Sequence, residues 1–300
     1  MVAYLAISVS TDRLSAGIVD DDGSVVVRDR VATPHRDVWP ALHRLVRRVV
    51  AANPDDADAP IVCGVSCEGP LDDAAGTVSP MHMAVWRDFA LRERVRDLAG
   101  LPTVIGTTAE ARVLAERWVG VAKDVENVMV LVMSDAVEAG VVVNDRLLRG
   151  RLGNAGQLGH LVVEPDGLPC PCGGLGCLTP YVSAASLEVE TNRPLRRAPA
   201  SIVERAGVMT GRAVASAVAV FDLQSVLLAG AVPSTFATPL LEAARRELDQ
   251  RSRLVHLRSG VDRLEHRVEL DLTVLGSEAA LVGAAALAKW HDPDRYDPAG

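Results

Sequence analysis

The chain has 300 residues, 49% of them apolar but only 3% aromatic, and a net charge of −8. That length supports two domains, each with its own core. The acidic balance argues against a direct nucleic-acid-binding face, which needs basic side chains, and no apolar run approaches the roughly 18 residues that suggest a membrane span.

In chain order, residues 3–9, 15–20 and 24–31 read as strands, with Asp21-Asp22-Gly23 the clearest turn between them. The first seven residues have no basic leader and no small-residue cleavage site. They read as a first strand, which implies a cytoplasmic protein. Residues 36–53 place Val38, Leu42, Leu45, Val46, Val49 and Val50 at helical spacing. A short buried strand follows at 61–65, then helices at 91–98 and 109–119. Apolar strand runs follow at 125–133 and 139–143, with Asn144-Asp145 as the turn after them. Residues 161–163 form a further short strand on this reading, 184–190 and 201–220 are helical, and 226–228 is a buried strand. Helices at 237–251 and 278–290 close the pattern, and the proline-containing tail 291–300 is expected to be mobile. Strands alternating with helices specify an α/β protein.

The densest chemistry lies at Cys170-Pro171-Cys172-Gly173-Gly174-Leu175-Gly176-Cys177, ten residues after His160. Three thiols and one imidazole can close a tetrahedral Cys₃His zinc site with no open position, which makes it structural. Three of only five cysteines lie within these eight residues. The glycines let the chain turn tightly enough for the sulfurs to converge. Cys63 and Cys67 read instead as small packed residues near a strand end.

The run Gly153-Asn154-Ala155-Gly156-Gln157-Leu158-Gly159-His160, followed by these cysteines, resembles the signature of the ROK family of repressors, open reading frames and sugar kinases. Cys67-Glu68-Gly69-Pro70-Leu71-Asp72 resembles its P-G-P-V-D turn, 86–91 its W-x-x-x-x-L segment, and Leu275-Gly276 with 283–286 its closing helix. The resemblance implies two ribonuclease-H-like lobes of the actin-like ATPase and sugar kinase type, with an interlobe cleft and a zinc-binding loop. The lobes are expected at 1–118 and 119–290, with the zinc loop at 160–177. The helical region between Ser183 and Asp222 is expected to be trimmed. With a strand starting near residue 3, no room is expected for the helix-turn-helix that ROK repressors carry.

The resemblance also says what a sugar kinase would have, and the residues depart from it. The first phosphate loop, D-x-G-G-T-K in the family, is Ser8-Val9-Ser10-Thr11-Asp12-Arg13. The second, G-T-G-I-G, is Ser134-Asp135-Ala136-Val137-Glu138. Both lose their glycines, and Asp12, Asp135 and Glu138 bring carboxylates to turns that would face phosphates, at a Coulombic cost. They read as solvated turn residues, or alternatively as oxygen ligands for a divalent cation. The family's catalytic aspartate is Thr108, which has no useful basicity. Thr107 or Thr108 reads better as a helix N-cap. Glu110 is a weak substitute base, about 200° further round the helix. The sugar-contacting positions become His82, Gln157 and Thr179, with His160 retained. These features predict a catalytically impaired ROK homologue that binds a sugar-like molecule or a protein partner. It would form a homodimer or homotetramer and bind neither nucleic acid directly nor a membrane. The alternative is an active ATP-dependent sugar kinase with atypical phosphate loops.

Overall fold

Ala3–Val9 is buried along its whole length, as befits a strand in the middle of a sheet covered on both faces. In the computed structural model, which describes residues 2–54, 58–252 and 268–290, it is β1 of twelve strands and eight helices among the described residues. The next elements are β2 (Arg13–Asp20), β3 (Val25–Ala32), α1 (Val38–Ala51), β4 (Pro60–Cys67), β5 (Leu71–Asp72), β6 (Thr77–Val78), α2 (Leu91–Ala99), β7 (Thr103–Thr107) and α3 (Thr108–Trp118). Then come β8 (Val128–Met133), β9 (Val137–Val143), β10 (Arg146–Leu147), α4 (Thr179–Val182), α5 (Ala184–Thr191), α6 (Ala200–Phe221), β11 (Ser225–Ala229), α7 (Ala231–Arg251), β12 (Glu269–Leu272) and α8 (Ala279–Lys289).

The chain divides into two units. The first contains the residues up to Lys123, Arg149–Ala155, and the residues from Val274 onward; the second contains Asp124–Leu148 and Gly156–Thr273. Each unit has one five-stranded mixed sheet. In the first the order is β3-β2-β1-β4-β7, and in the second β10-β9-β8-β11-β12. In each, the first three strands form antiparallel hairpins and the last two run parallel to the central one.

The first sheet is covered on one face by α1 and α2. Leu42, Leu45, Val46, Leu91 and Val95 join Leu5, Ile7, Val65 and Ile105 in one core. On the other face Tyr4, Ala6 and Val19 pack against Leu281, Ala284, Ala285 and Ala288 of α8. Small residues set how closely α8 can sit. A Cβ at Gly64 of β4 would lie 1.8 Å from the Ala284 carbonyl oxygen, and one at Gly283 would lie 2.3 Å from that of Ala111 in α3. This seat explains why the unit boundary differs from the sequence reading, which assigned 119–290 to one lobe. A helix this rich in Ala and Gly fits against strands of the first unit, so the chain returns to it after Thr273.

Most elements fall where the apolar pattern places them. The differences are local. Residues 161–163 form no strand; a single bridge pairs Val162 with Cys177. Strands β7 and β12 were not anticipated, being short and, in β12, half charged. The region after Ser183 holds α5, one 3-10 turn at Leu195–Arg197 and α6. The tail 291–300 lies outside the described residues.

Gly64→Ala is expected to lower the unfolding free energy by about 2 kcal/mol or more, because neither backbone can yield without moving the helix. Urea denaturation measures this, and an unchanged midpoint would mean that α8 is not seated on β4.

Candidate functional site

The second unit gathers the three cysteines and the histidine. A 3-10 turn at Leu158–His160 presents the imidazole, and the chain then folds back on itself. Val163 and Glu164 donate N–H bonds to the Gly176 carbonyl at 2.9 and 3.2 Å, and Cys170 donates to Gly174 at 2.8 Å. Gly176 has φ +70°, and a Cβ there would lie 1.8 Å from the Glu164 carbonyl oxygen. Only glycine closes this loop. The result places His160 Nδ1 3.6 Å from Cys170 Sγ, and Cys172 Sγ 3.8 Å from Cys177 Sγ. All four donor atoms lie within 4.8 Å of one another. Two sulfurs each about 2.3 Å from a tetrahedral ion are about 3.8 Å apart, so Cys172 and Cys177 have the spacing of two such ligands and the other two donors lie near enough to close on the same ion. Among the described residues this is the one such cluster of His, Cys, Asp and Glu.

The expected sugar-contacting residues stand around the same loop or in the first unit. Thr179 is buried and its hydroxyl donates to the Gly159 carbonyl at 2.8 Å. Gln157 is half-buried, and its carbonyl accepts the His160 N–H at 3.0 Å. His82 is exposed, in the first unit between β6 and α2.

In the first unit the start of α3 is chemically specific. Thr107, not Thr108, is the N-cap. Its hydroxyl accepts the Glu110 N–H at 3.1 Å, and the Glu110 carboxylate accepts the Thr107 N–H at 2.8 Å. This is a reciprocal capping box. Glu110 is fully buried. Its second oxygen accepts from Arg149 Nε at 3.2 Å, while Arg149 also pairs with Asp73 at 3.1 Å and donates to the Ile105 carbonyl at 2.9 Å. Burial pushes the Glu110 carboxyl up to about 7, against the pull of Arg149. Both oxygens of this expected substitute base are therefore engaged in holding the helix start and the returning segment. Thr108 Oγ1 is buried without a hydrogen-bond partner. Sequence spacing gave no sign of Arg149 or Asp73, which meet Glu110 only through the fold.

Each of the two turns aligned with phosphate loops uses some of its polar groups within the protein. In the β1–β2 turn, Ser10 donates its N–H to the Arg13 carbonyl at 3.0 Å, and its hydroxyl lies 2.6 Å from Asp12 Oδ1. Thr11 gives both its N–H and its hydroxyl to the Glu68 carboxylate, at 3.1 and 2.7 Å. Glu68 is only 7% exposed. In the β8–β9 turn, Ser134 donates its N–H to the Ala136 carbonyl and its hydroxyl accepts the Ala231 N–H, each at 3.1 Å. Asp12 is exposed and Asp135 half-buried. Glu138 corrects the sequence reading: it is not a solvated turn residue but lies inside β9 opposite Val132, 3% exposed.

The raised Glu110 pKa fixes a pH dependence. A carboxyl near 7 in the folded state and near 4.5 unfolded gives stability that is complete below about 4.5 and is lost as pH rises through about 7. Glu110→Gln keeps an acceptor for the Thr107 N–H and leaves Arg149 paired with Asp73. Relative to this variant, the wild type is expected to lose about 1–3 kcal/mol between pH 4.5 and 7.5. Paired urea titrations would show it, and parallel pH profiles would refute it.

The ROK family sequence profile matches residues 4–291. The N-acetylmannosamine kinase of Citrobacter koseri is 28% identical over 303 residues, covering 96% of this chain and 99% of its own. Among solved structures, the ROK hexokinase of Thermus thermophilus superimposes with a TM-score of 0.77 at 29% identity, covering 96% of this chain and 98% of that one. A ROK family transcriptional regulator, a homolog of the E. coli MLC protein, has the same fold, with a TM-score of 0.78 at 21% identity over 95% of this chain and 77% of its own. No helix among the described residues is long and apolar enough to cross a membrane. The fold is thus the α/β fold of the ROK sugar kinases, and the chain belongs to the ROK family.

Proposed function

We propose that this ROK protein has given up phosphoryl transfer and acts by binding, sensing a sugar-like molecule or regulating a protein partner. The observation that carries the reading is the start of α3. A general base needs a free basic atom within reach of the acceptor hydroxyl. Thr108 occupies the position that resembles the family's aspartate. The nearby carboxylate, Glu110, is buried with both oxygens held by Thr107 and Arg149. The engaged N–H groups of Thr11 in the β1–β2 turn and Ser134 in the β8–β9 turn support the same reading, because a phosphate cradle needs outward-facing N–H groups.

A second reading keeps sugar kinase activity, favoured by the full-length similarity to an N-acetylmannosamine kinase. One experiment separates the two. Calorimetry with ATP-Mg²⁺ and a coupled ADP assay with N-acetylmannosamine and glucose are expected to show neither binding at millimolar nucleotide nor turnover. Turnover near the 1 s⁻¹ or more that is usual for kinases would establish the second reading. Thr108→Asp alone is expected to restore nothing, since the Thr11 and Ser134 N–H groups remain engaged.

The reading includes a structural zinc held by His160, Cys170, Cys172 and Cys177. A closed four-ligand site offers no place for substrate and adds to folding stability. Elemental analysis is expected to find one zinc per chain. Cys177→Ser should lose it and melt about 5 °C or more lower. A full complement of zinc in that variant would show that the ion sits elsewhere.

A further inference from the structure

Ligands of open α/β sheets bind beyond the carboxyl ends of the parallel strands. In the first unit those ends are Val9 of β1, Cys67 of β4 and Thr107 of β7, side by side in register. The residue after β4 is Glu68. Its carboxylate crosses to the β1–β2 turn and takes the Thr11 N–H at 3.1 Å and the Thr11 hydroxyl at 2.7 Å. An N–H and an O–H converging on two oxygens of one anion is how a turn grips a phosphate or carboxylate ligand. Here the anion belongs to the protein and is 93% shielded from water, being only 7% exposed. Around it, Ser10 N–H is spent on the Arg13 carbonyl, and Thr33 gives its N–H to the Asp12 carbonyl and its hydroxyl to that of Ser10. Asp12 adds a second, exposed carboxylate on the same turn.

We propose that Glu68 is a built-in anion that occupies the β1–β2 turn and sets the ligand class of this end of the sheet, rejecting phosphate-bearing molecules and leaving it to neutral ones. The assignment rests on the reading of the chain as a binding protein, and supplies a cause for the absence of phosphoryl transfer that does not involve Thr108. Glu68 makes this turn selective by charge and by occupancy. Removing the carboxylate frees the Thr11 N–H and hydroxyl; neutralising it alone removes the repulsion but leaves the acceptor.

The test uses the full, zinc-replete chain and sodium tripolyphosphate, followed at the Thr11 amide by NMR. In the wild type the Thr11 signal is expected to stay fixed up to about 10 mM, a concentration that would reveal even millimolar affinity. In Glu68→Ala it should move on titration, with affinity at least ten-fold above any shown by the wild type. Glu68→Gln should give a smaller gain, because its carbonyl oxygen still accepts from Thr11. A Glu68→Ala protein with an otherwise native spectrum and a silent Thr11 would overturn the assignment. Should Glu68→Ala not fold, Glu68→Gln decides on charge alone: a gain supports the assignment and no gain refutes it. ATP turnover by the wild type would instead remove the binding-protein reading, whatever Glu68 does. An inactive wild type with a silent Thr11 in Glu68→Ala removes only the role of Glu68.

Discussion

The pairing of buried Glu110 with Arg149 ties two levels of this structure together. At the local level Glu110 closes the capping box with Thr107, so α3 starts at a fixed residue. A carboxylate in the first turn also meets the positive end of the helix dipole. At the level of topology, Arg149 opens the segment Arg149–Ala155, which leaves the second unit's sequence to join the first. Its guanidinium anchors that segment to Glu110, to Asp73 and to the Ile105 carbonyl. Asn154 then pins the far end by exchanging two hydrogen bonds with the Leu71 backbone, at 2.8 and 2.6 Å. A buried charge stripped of its partner costs about 3–5 kcal/mol, so an ionised Glu110 and Arg149 each depend on the other.

The same logic extends to the turns at the strand ends. A turn can offer its N–H groups to a ligand only if the protein does not use them. Thr11 is used by Glu68, and the Ser134 N–H by Ala136. The Ser134 carbonyl accepts the Ala184 N–H at 2.9 Å and its hydroxyl accepts the Ala231 N–H, so this turn holds the starts of two helices, α5 and α7. Glycine in such turns lets a backbone approach a ligand. Side chains with hydroxyls and carboxylates let it satisfy itself. Of the residues that replace the family's glycines and neighbours here, Ser10, Thr11 and Ser134 make internal hydrogen bonds through their side chains.

How much of this was legible in advance depended on sequence distance. The cluster that could hold a metal draws its four side chains from residues 160–177, and these are the four that the sequence spacing pointed to. Buried strands such as β1, β8 and β11 showed as unbroken apolar runs. β7 and β12 did not, because five and four residues carry too little pattern. The Val162–Cys177 bridge was mistaken for part of a strand because two apolar residues in a metal loop look the same as two in a sheet. Arg149 and Asp73 gave no signal, since each acquires its role from a partner 39 or 76 residues away in the chain, whereas Glu68 stood out only as a departure from the family's turn and its bond to Thr11 did not. Glu138 was misplaced for a related reason. Its charge suggested solvent, while its position in β9 follows from the apolar residues on either side. The return of α8 to the first unit was hidden for a different cause: what places it is the absence of side chains at Gly64 and Gly283.

The fold by itself does not select among functions, as the kinases and the transcriptional regulator that share it make plain. What distinguishes this chain is where its polar groups point. On the proposed reading, a metal held by His160 and the three cysteines would serve the fold, a role that does not depend on phosphoryl transfer. The start of α3 and the β1–β2 turn are the opposite case. Here the Thr11 N–H and hydroxyl are taken by Glu68 and the Thr107 N–H by Glu110, while Thr108 Oγ1 is buried without a hydrogen-bond partner. Both glutamates are buried and each bonds to the backbone at the turn or helix start it closes, an arrangement consistent with the proposed loss of phosphoryl transfer.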